Sequence, residues 1–151
     1  ALSAQIKARR VTKGYLALAG GVLAPPRGQI DAPISRDPRH RKRMAVVPGG
    51  REARTRYRVL ESVGGHSLVE LYLETGRTHQ VRVHLAHLGH PLLGDAVYGR
   101  SSPLLARHFL HAHHLGFQHP ATGEAVEFRS GLPEDLAEVV ELLRGSFRRS
   151  G

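Results

Sequence analysis

Between Thr55 and Glu74, residues facing opposite ways alternate in steps of two. Thr55, Tyr57, Val59 and Glu61 oppose Arg56, Arg58 and Leu60, and Leu68, Glu70 and Tyr72 oppose Val69, Leu71 and Leu73. That period predicts two strands, 55–61 and 66–74, joined as a hairpin by Gly64-Gly65. Tyr15 to Leu23 is a shorter apolar run ending in Gly and Pro, which also predicts a strand. Leu110–Phe117 and Ala125–Arg129 predict a second hairpin across HPATGE. Gly28 to Ile34 reads as a loop with a brief extended piece, Met44 to Val47 as short and extended, and Pro48-Gly49-Gly50 as a loop.

Helical spacing occurs in two further places. Val81, Leu85 and Leu88 fall at i, i+4 and i+7, which predicts a helix capped by Thr78 and ended by Gly89. Pro133 is expected to open the last helix, with Glu134 and Asp135 in its first turn and Leu136, Val139, Val140 and Leu143 as its apolar stripe. Residues 1–10 read as the basic end of a helix. A chain opening there is expected to be cut from a longer protein, although loss of an initiator Met would also leave Ala1 first. The order of elements points to an α+β fold, a mixed, largely antiparallel sheet with flanking helices.

Composition narrows the function. Lys and Arg total 22 against 13 Asp and Glu, a net charge of +9 in 151 residues. A surface so basic attracts polyanions, and nucleic acid is the leading partner class. With four Tyr, four Phe and no Trp, one or two stacking residues beside a basic groove are expected rather than an aromatic platform. Cysteine is absent from the 151 residues, which excludes disulfides, thiolate metal sites and a cysteine nucleophile within them. No run is long and apolar enough for a membrane span, and ALSAQIKARR has no secretion-signal pattern. A cytoplasmic location and no membrane partner are therefore expected.

The densest chemistry lies in LETGRTHQVRVHLAHLGHPLLGDAVYG, residues 73–99. Arg77, His79, Gln80, Arg82 and His84 crowd a turn and a helix start, where free backbone N–H groups already favour an anion. The alternative is a solvated charged face. The histidines near it show no HExxH spacing and no thiol accompanies them, so no metal is expected. No GxSxG elbow, Walker loop or dinucleotide fingerprint occurs. Tyr15, behind Lys7, Arg9, Arg10 and Lys13, is either a stacking residue whose hydroxyl handles protons or a strand tyrosine half-buried in the core.

The 73–99 string is similar, nearly residue for residue, to the third motif of the RluA/RluD-type RNA pseudouridine synthases. KGYLALAGG (13–21) resembles their second motif. GQIDAPISRDPRHRKRMAVV (28–47), TRYRVLE (55–61), LHAHHLGFQHPATGE (110–124) and LPEDL (132–136) resemble family segments in the same order. The resemblance implies a catalytic-domain part over 1–145 with a disordered tail at 146–151. It also implies isomerisation of uridine to pseudouridine in RNA (rRNA or tRNA) with no cofactor and no metal, on a flipped-out base. Tyr15 and Arg82 would be catalytic, Tyr15 packing on the base and relaying its proton, Arg82 pairing with the nucleophilic Asp. Arg77, Thr78, His79 and Gln80 would contact phosphate or supporting groups, and Leu110 would wall the base pocket. Lys7, Arg9, Arg10, Lys13, Arg41, Lys42 and Arg43 would bind RNA. The family's nucleophile sits in an HRLDxxTSG motif that does not occur in the 151 residues. Asp31, Asp37, Asp95 and Asp135 match other family positions. The chain by itself is thus expected to be inactive; a catalytically inactive RNA-binding module is the alternative.

Overall fold

The computed structural model describes residues 12–119 and 121–150, the side chains of 146–150 excepted. Lys7, Arg9, Arg10 and the helix expected over 1–10 lie outside them.

Six strands form one sheet in the order β2-β5-β6-β1-β7-β8. They are β1 (Thr12–Gly20), β2 (Arg27–Asp31), β5 (Arg54–Val63), β6 (His66–Leu73), β7 (Leu110–Gln118) and β8 (Ala125–Arg129). Every pairing is antiparallel. A separate ribbon pairs β3 (Ile34–Arg36) with β4 (Met44–Val46). Both predicted hairpins are present. Gly28 to Ile34, expected as a loop with a brief extended piece, is extended over most of its length, contributing to β2 and the start of β3, because Gln29 and Ile30 find partners on Arg56 and Thr55.

Alternation along β1 divides the core. Ala17 and Ala19 face a cluster with Val69, Leu71, Val81 and Leu85, and Leu18 faces one with Leu68, Phe109, Leu136 and Val140. Helix α1 (Gln80–His87) therefore covers one sheet face and α2 (Glu134–Ser150) the other. The stripe predicted for α2 is buried in full. The helix is assigned to Ser150; the tail expected at 146–151 falls on residues whose side chains lie outside the description. One glycine, Gly145, costs a helix only about 1 kcal/mol and does not stop it.

Two expectations for α1 are corrected. Its N-cap is His79, in the left-handed conformation at φ 55°, and not Thr78. Its buried residues are Gln80, Val81, Val83, His84 and Leu85, whereas Leu88 is exposed. Polar side chains occupy buried positions here because each finds partners. His84 Nε2 donates to the Ala32 carbonyl and Nδ1 lies 2.8 Å from Thr55 Oγ1. Gly89 follows the helix at φ 86°, the conformation expected of it.

Candidate active site

β1 carries Tyr15 next to an irregularity. Gly14 pairs with His114 and Tyr15 with Ala112, so His113 is an extra residue on β7. Such bulges re-aim neighbouring side chains. Gly14 is required here, since a Cβ would lie 2.8 Å from Tyr72 Cε1. Tyr15 itself is half-buried against the cluster that includes Val81 and Leu85, and Leu110 packs there too. Tyr15, Leu110 and α1 thus share one sheet face. Burial pushes the Tyr15 hydroxyl above the ordinary phenol range, so it stays protonated.

Arg82 projects from α1 and meets Asp95 from the following loop. Nε and Nη2 donate to the two carboxylate oxygens, each at 2.9 Å. The Asp95 side chain is 0 % exposed. Its Oδ1 also accepts from the backbone N–H groups of Val97 and Tyr98, which fixes the turn. Burial pushes the Asp95 carboxyl up, but the Arg82 hydrogen bonds, those backbone donors and the Arg82 charge outweigh it, leaving the group below its usual range. The same hydrogen bonds raise Arg82 against the opposing effect of burial. The Tyr98 ring lies 5.0 Å from the Arg82 guanidinium carbon, a cation–π contact. The Tyr98 hydroxyl shares a hydrogen bond of 2.8 Å with His79 Nδ1 and accepts from Met44 N–H at 3.0 Å. Burial, then the Arg82 charge, holds His79 and His108 below the usual imidazole range, so both are neutral near pH 7.

The sequence leads one to expect Arg82 to await a carboxylate from elsewhere. Within the described residues its partner is Asp95, which needs a counter-charge to remain ionised where it is buried. Asp95, Tyr98 and His108 were missed because their roles depend on a turn that brings loop residues onto α1. The one legible signal was Asp95 two and three residues before Val97 and Tyr98, a spacing that suits side-chain acceptance from the backbone.

The remaining predicted residues divide. Gln80 is buried and supports the turn: it accepts from Thr75 Oγ1 and Arg77 N–H and donates to Arg54 O and Thr55 Oγ1, which uses its whole amide. Arg77 and Thr78 line a cleft of about 440 Å³ beside the β3–β4 ribbon. Arg43 is ion-paired to Asp37 at 3.0 Å, leaving Arg41 and Lys42 exposed. Lys13 shares the Tyr15 face by alternation on β1. A separate cleft of about 790 Å³, with Arg27, Arg58 and Tyr72 in its wall, holds none of the predicted residues. Among the described residues no three His, Asp or Glu come together as a metal would require. No described helix is long and apolar enough to cross a membrane.

The RNA pseudouridylate synthase family model matches residues 1–87, more than half of the chain. The chain belongs to the RNA pseudouridylate synthase family. An uncharacterized RNA pseudouridine synthase of Chloroflexus aurantiacus is 57% identical over 142 residues, 93% of this chain and 45% of that protein. Ribosomal large subunit pseudouridine synthase D of Nitrosomonas europaea is 48% identical over 95% of this chain and 44% of its own length. The chain thus spans about half the length of these pseudouridine synthases. Among solved structures, human RNA pseudouridylate synthase domain containing 1 matches with a TM-score of 0.73 and 32% identity, over 94% of this chain and 69% of that one. The human domain containing 4 gives 0.75 and 29%, over 95% and 66%.

Proposed function

We propose that this chain supplies the base-handling part of an RNA pseudouridine synthase acting on uridine in structured RNA, either rRNA or tRNA. The observation that carries this reading is a rigidly held guanidinium, Arg82, whose Nη1 makes no hydrogen bond among the described residues, on the same sheet face as a protonated, half-buried Tyr15. In the isomerisation the C1′–N1 bond breaks, the uracil turns, a C1′–C5 bond forms, and the C5 proton leaves as N1 gains one. Tyr15 packs on the ring and relays that proton. Arg82 turns its free edge toward the nucleophilic carboxylate and holds it ionised. Leu110 walls the base pocket beside them. The nucleophile belongs to an HRLDxxTSG-type segment that the 151 residues do not contain.

The test is tritium release from RNA carrying [5-³H]uridine. The chain alone is expected to release none, and the chain preceded by an HRLD-type segment is expected to turn over. Release by the chain alone would show that one of its own Asp residues begins the reaction. A second reading, an RNA-binding module without turnover, draws support from Asp95, which already fills the side-on edge of Arg82. It predicts RNA binding but no release even with the segment restored.

A further inference from the structure

The β3–β4 ribbon and the turn ahead of α1 enclose the 440 Å³ cleft from two sides. Ile34 exchanges backbone hydrogen bonds with Arg51 at 2.8 and 2.9 Å, which sets Arg51 alongside β3. Arg36 lies two residues further along that strand. From the other side, Gln80 holds the Arg77 backbone, and Arg77 Nε donates to the Glu52 carbonyl at 2.7 Å. Arg36 Nη1 donates to the Arg41 carbonyl at 3.0 Å. Ser35 and Thr78 add hydroxyls to the wall.

The charge balance of this cleft differs from that around the ion-paired arginines. Arg43, Arg54, Arg56, Arg58, Arg82, Arg107 and Arg144 each meet a carboxylate. Arg36 and Arg77 meet only backbone carbonyls, Arg51 has no side-chain partner among the described residues, and no acidic side chain lines the cleft. A guanidinium on a carbonyl is oriented but keeps its full charge. Three guanidiniums without a carboxylate, together with two hydroxyls, offer more donors than a carboxylate can accept, and they suit the several oxygens of a phosphate.

The cleft also adjoins the Arg82 cluster. Met44 lines it, and the Met44 N–H is bonded to the Tyr98 hydroxyl. Thr78 precedes His79, the other partner of that hydroxyl.

We infer that Arg36, Arg51 and Arg77 form a phosphate site that grips the RNA backbone beside the target nucleotide. The identity of the strand rests on the function proposed above; the anion site does not. This anchor, and not the Arg41–Lys42–Arg43 run, dominates the salt dependence of binding, because Asp37 already offsets part of that run's charge.

The test titrates the 151-residue chain into a fluorescein-labelled hairpin RNA at two KCl concentrations. Arg36→Ala and Arg51→Ala alter exposed side chains, and thermal melts check their folding. Each is expected to weaken binding about tenfold and to lower the log–log salt slope by about one. Arg129→Ala, exposed on β8, is expected to change neither. As a second readout, the Arg36, Arg51 and Arg77 Nε–Hε resonances should shift with the RNA and, more weakly, with inorganic phosphate. The inference is overturned if both cleft variants keep wild-type affinity and slope, if Arg129→Ala loses as much, if wild type binds no RNA, or if the resonances follow phosphate but not RNA. Cleft variants that lose binding while no tritium is ever released leave the anchor standing and remove the enzyme. Tritium release with unaffected cleft variants does the reverse.

Discussion

Arg82 and Asp95 meet edge to edge, two parallel hydrogen bonds of 2.9 Å joining a guanidinium to a fully buried carboxylate. Asp95→Asn would leave Arg82 without its counter-charge. Removing one member of a buried pair costs about 3 kcal/mol. Urea titration should show that loss at neutral pH. The folded Asp95 carboxyl lies below its unfolded value of about 3.9, so its stabilisation is present above that pH and fades as pH falls through the folded value. Asp95→Asn should lack that acid limb.

The same pair changes what an arginine substitution reports. Arg82→Ala should abolish tritium release in the segment-restored enzyme, but it also strands Asp95 and should lower the melting temperature. Tyr15→Phe removes only the hydroxyl, for which the described residues supply no hydrogen-bond partner, and should abolish release with an unchanged melt. A wild-type rate in Tyr15→Phe would remove Tyr15 from the proton path.

Gln80 and Thr78 separate support from contact. Gln80→Ala should cost about 2 kcal/mol or more, since Arg54 O, Thr55 Oγ1, Thr75 Oγ1 and Arg77 N–H all lose their bond to it. Thr78→Ala should change stability by less than about 0.5 kcal/mol, the size typical of a surface change away from caps and pairs. Equal losses in the two variants would restore Thr78 as the cap.

His84 is fully buried between Ala32 and Thr55, and burial holds its imidazole below the usual range. The unfolded chain takes up a proton at about pH 6.5 that the folded chain refuses. Stability is therefore complete above that pH and declines as pH falls below it. His79, His108 and His113 are depressed likewise and add to the effect. Unfolding titrations at stepped pH values should show the decline beginning near neutrality, well above the carboxylate range.

β5 and α2 were legible because each buries one face against solvent on the other, and their periodicity records it; β1, buried on both faces, was legible as an apolar run closed by Gly and Pro. α1 was misread for the opposite reason. Buried on most sides, it places Gln80 and His84 where apolar residues would be expected and satisfies them through Thr55, Arg54 and Ala32. Tyr15 could be picked out, and it stands half-buried against the core on the face of α1. The Arg36–Arg51–Arg77 cleft had no signature in the string, for its members converge only through the ribbon. The run at 41–43 looked uniform in charge until Asp37 was seen to hold Arg43.

The position of β1 has a consequence for how the protein is made. Tyr15 has Leu71 on one side and Ala112 on the other, neighbours that the ribosome adds much later. β1 must wait at the centre of the sheet for β7, made much later, and pairing over such separations slows folding. Nascent chains ending before β7 would hold Tyr15 on an open edge, its backbone unpaired on one side and able to join other strands. The sheet face that carries Tyr15 takes its form only once β7 has been made.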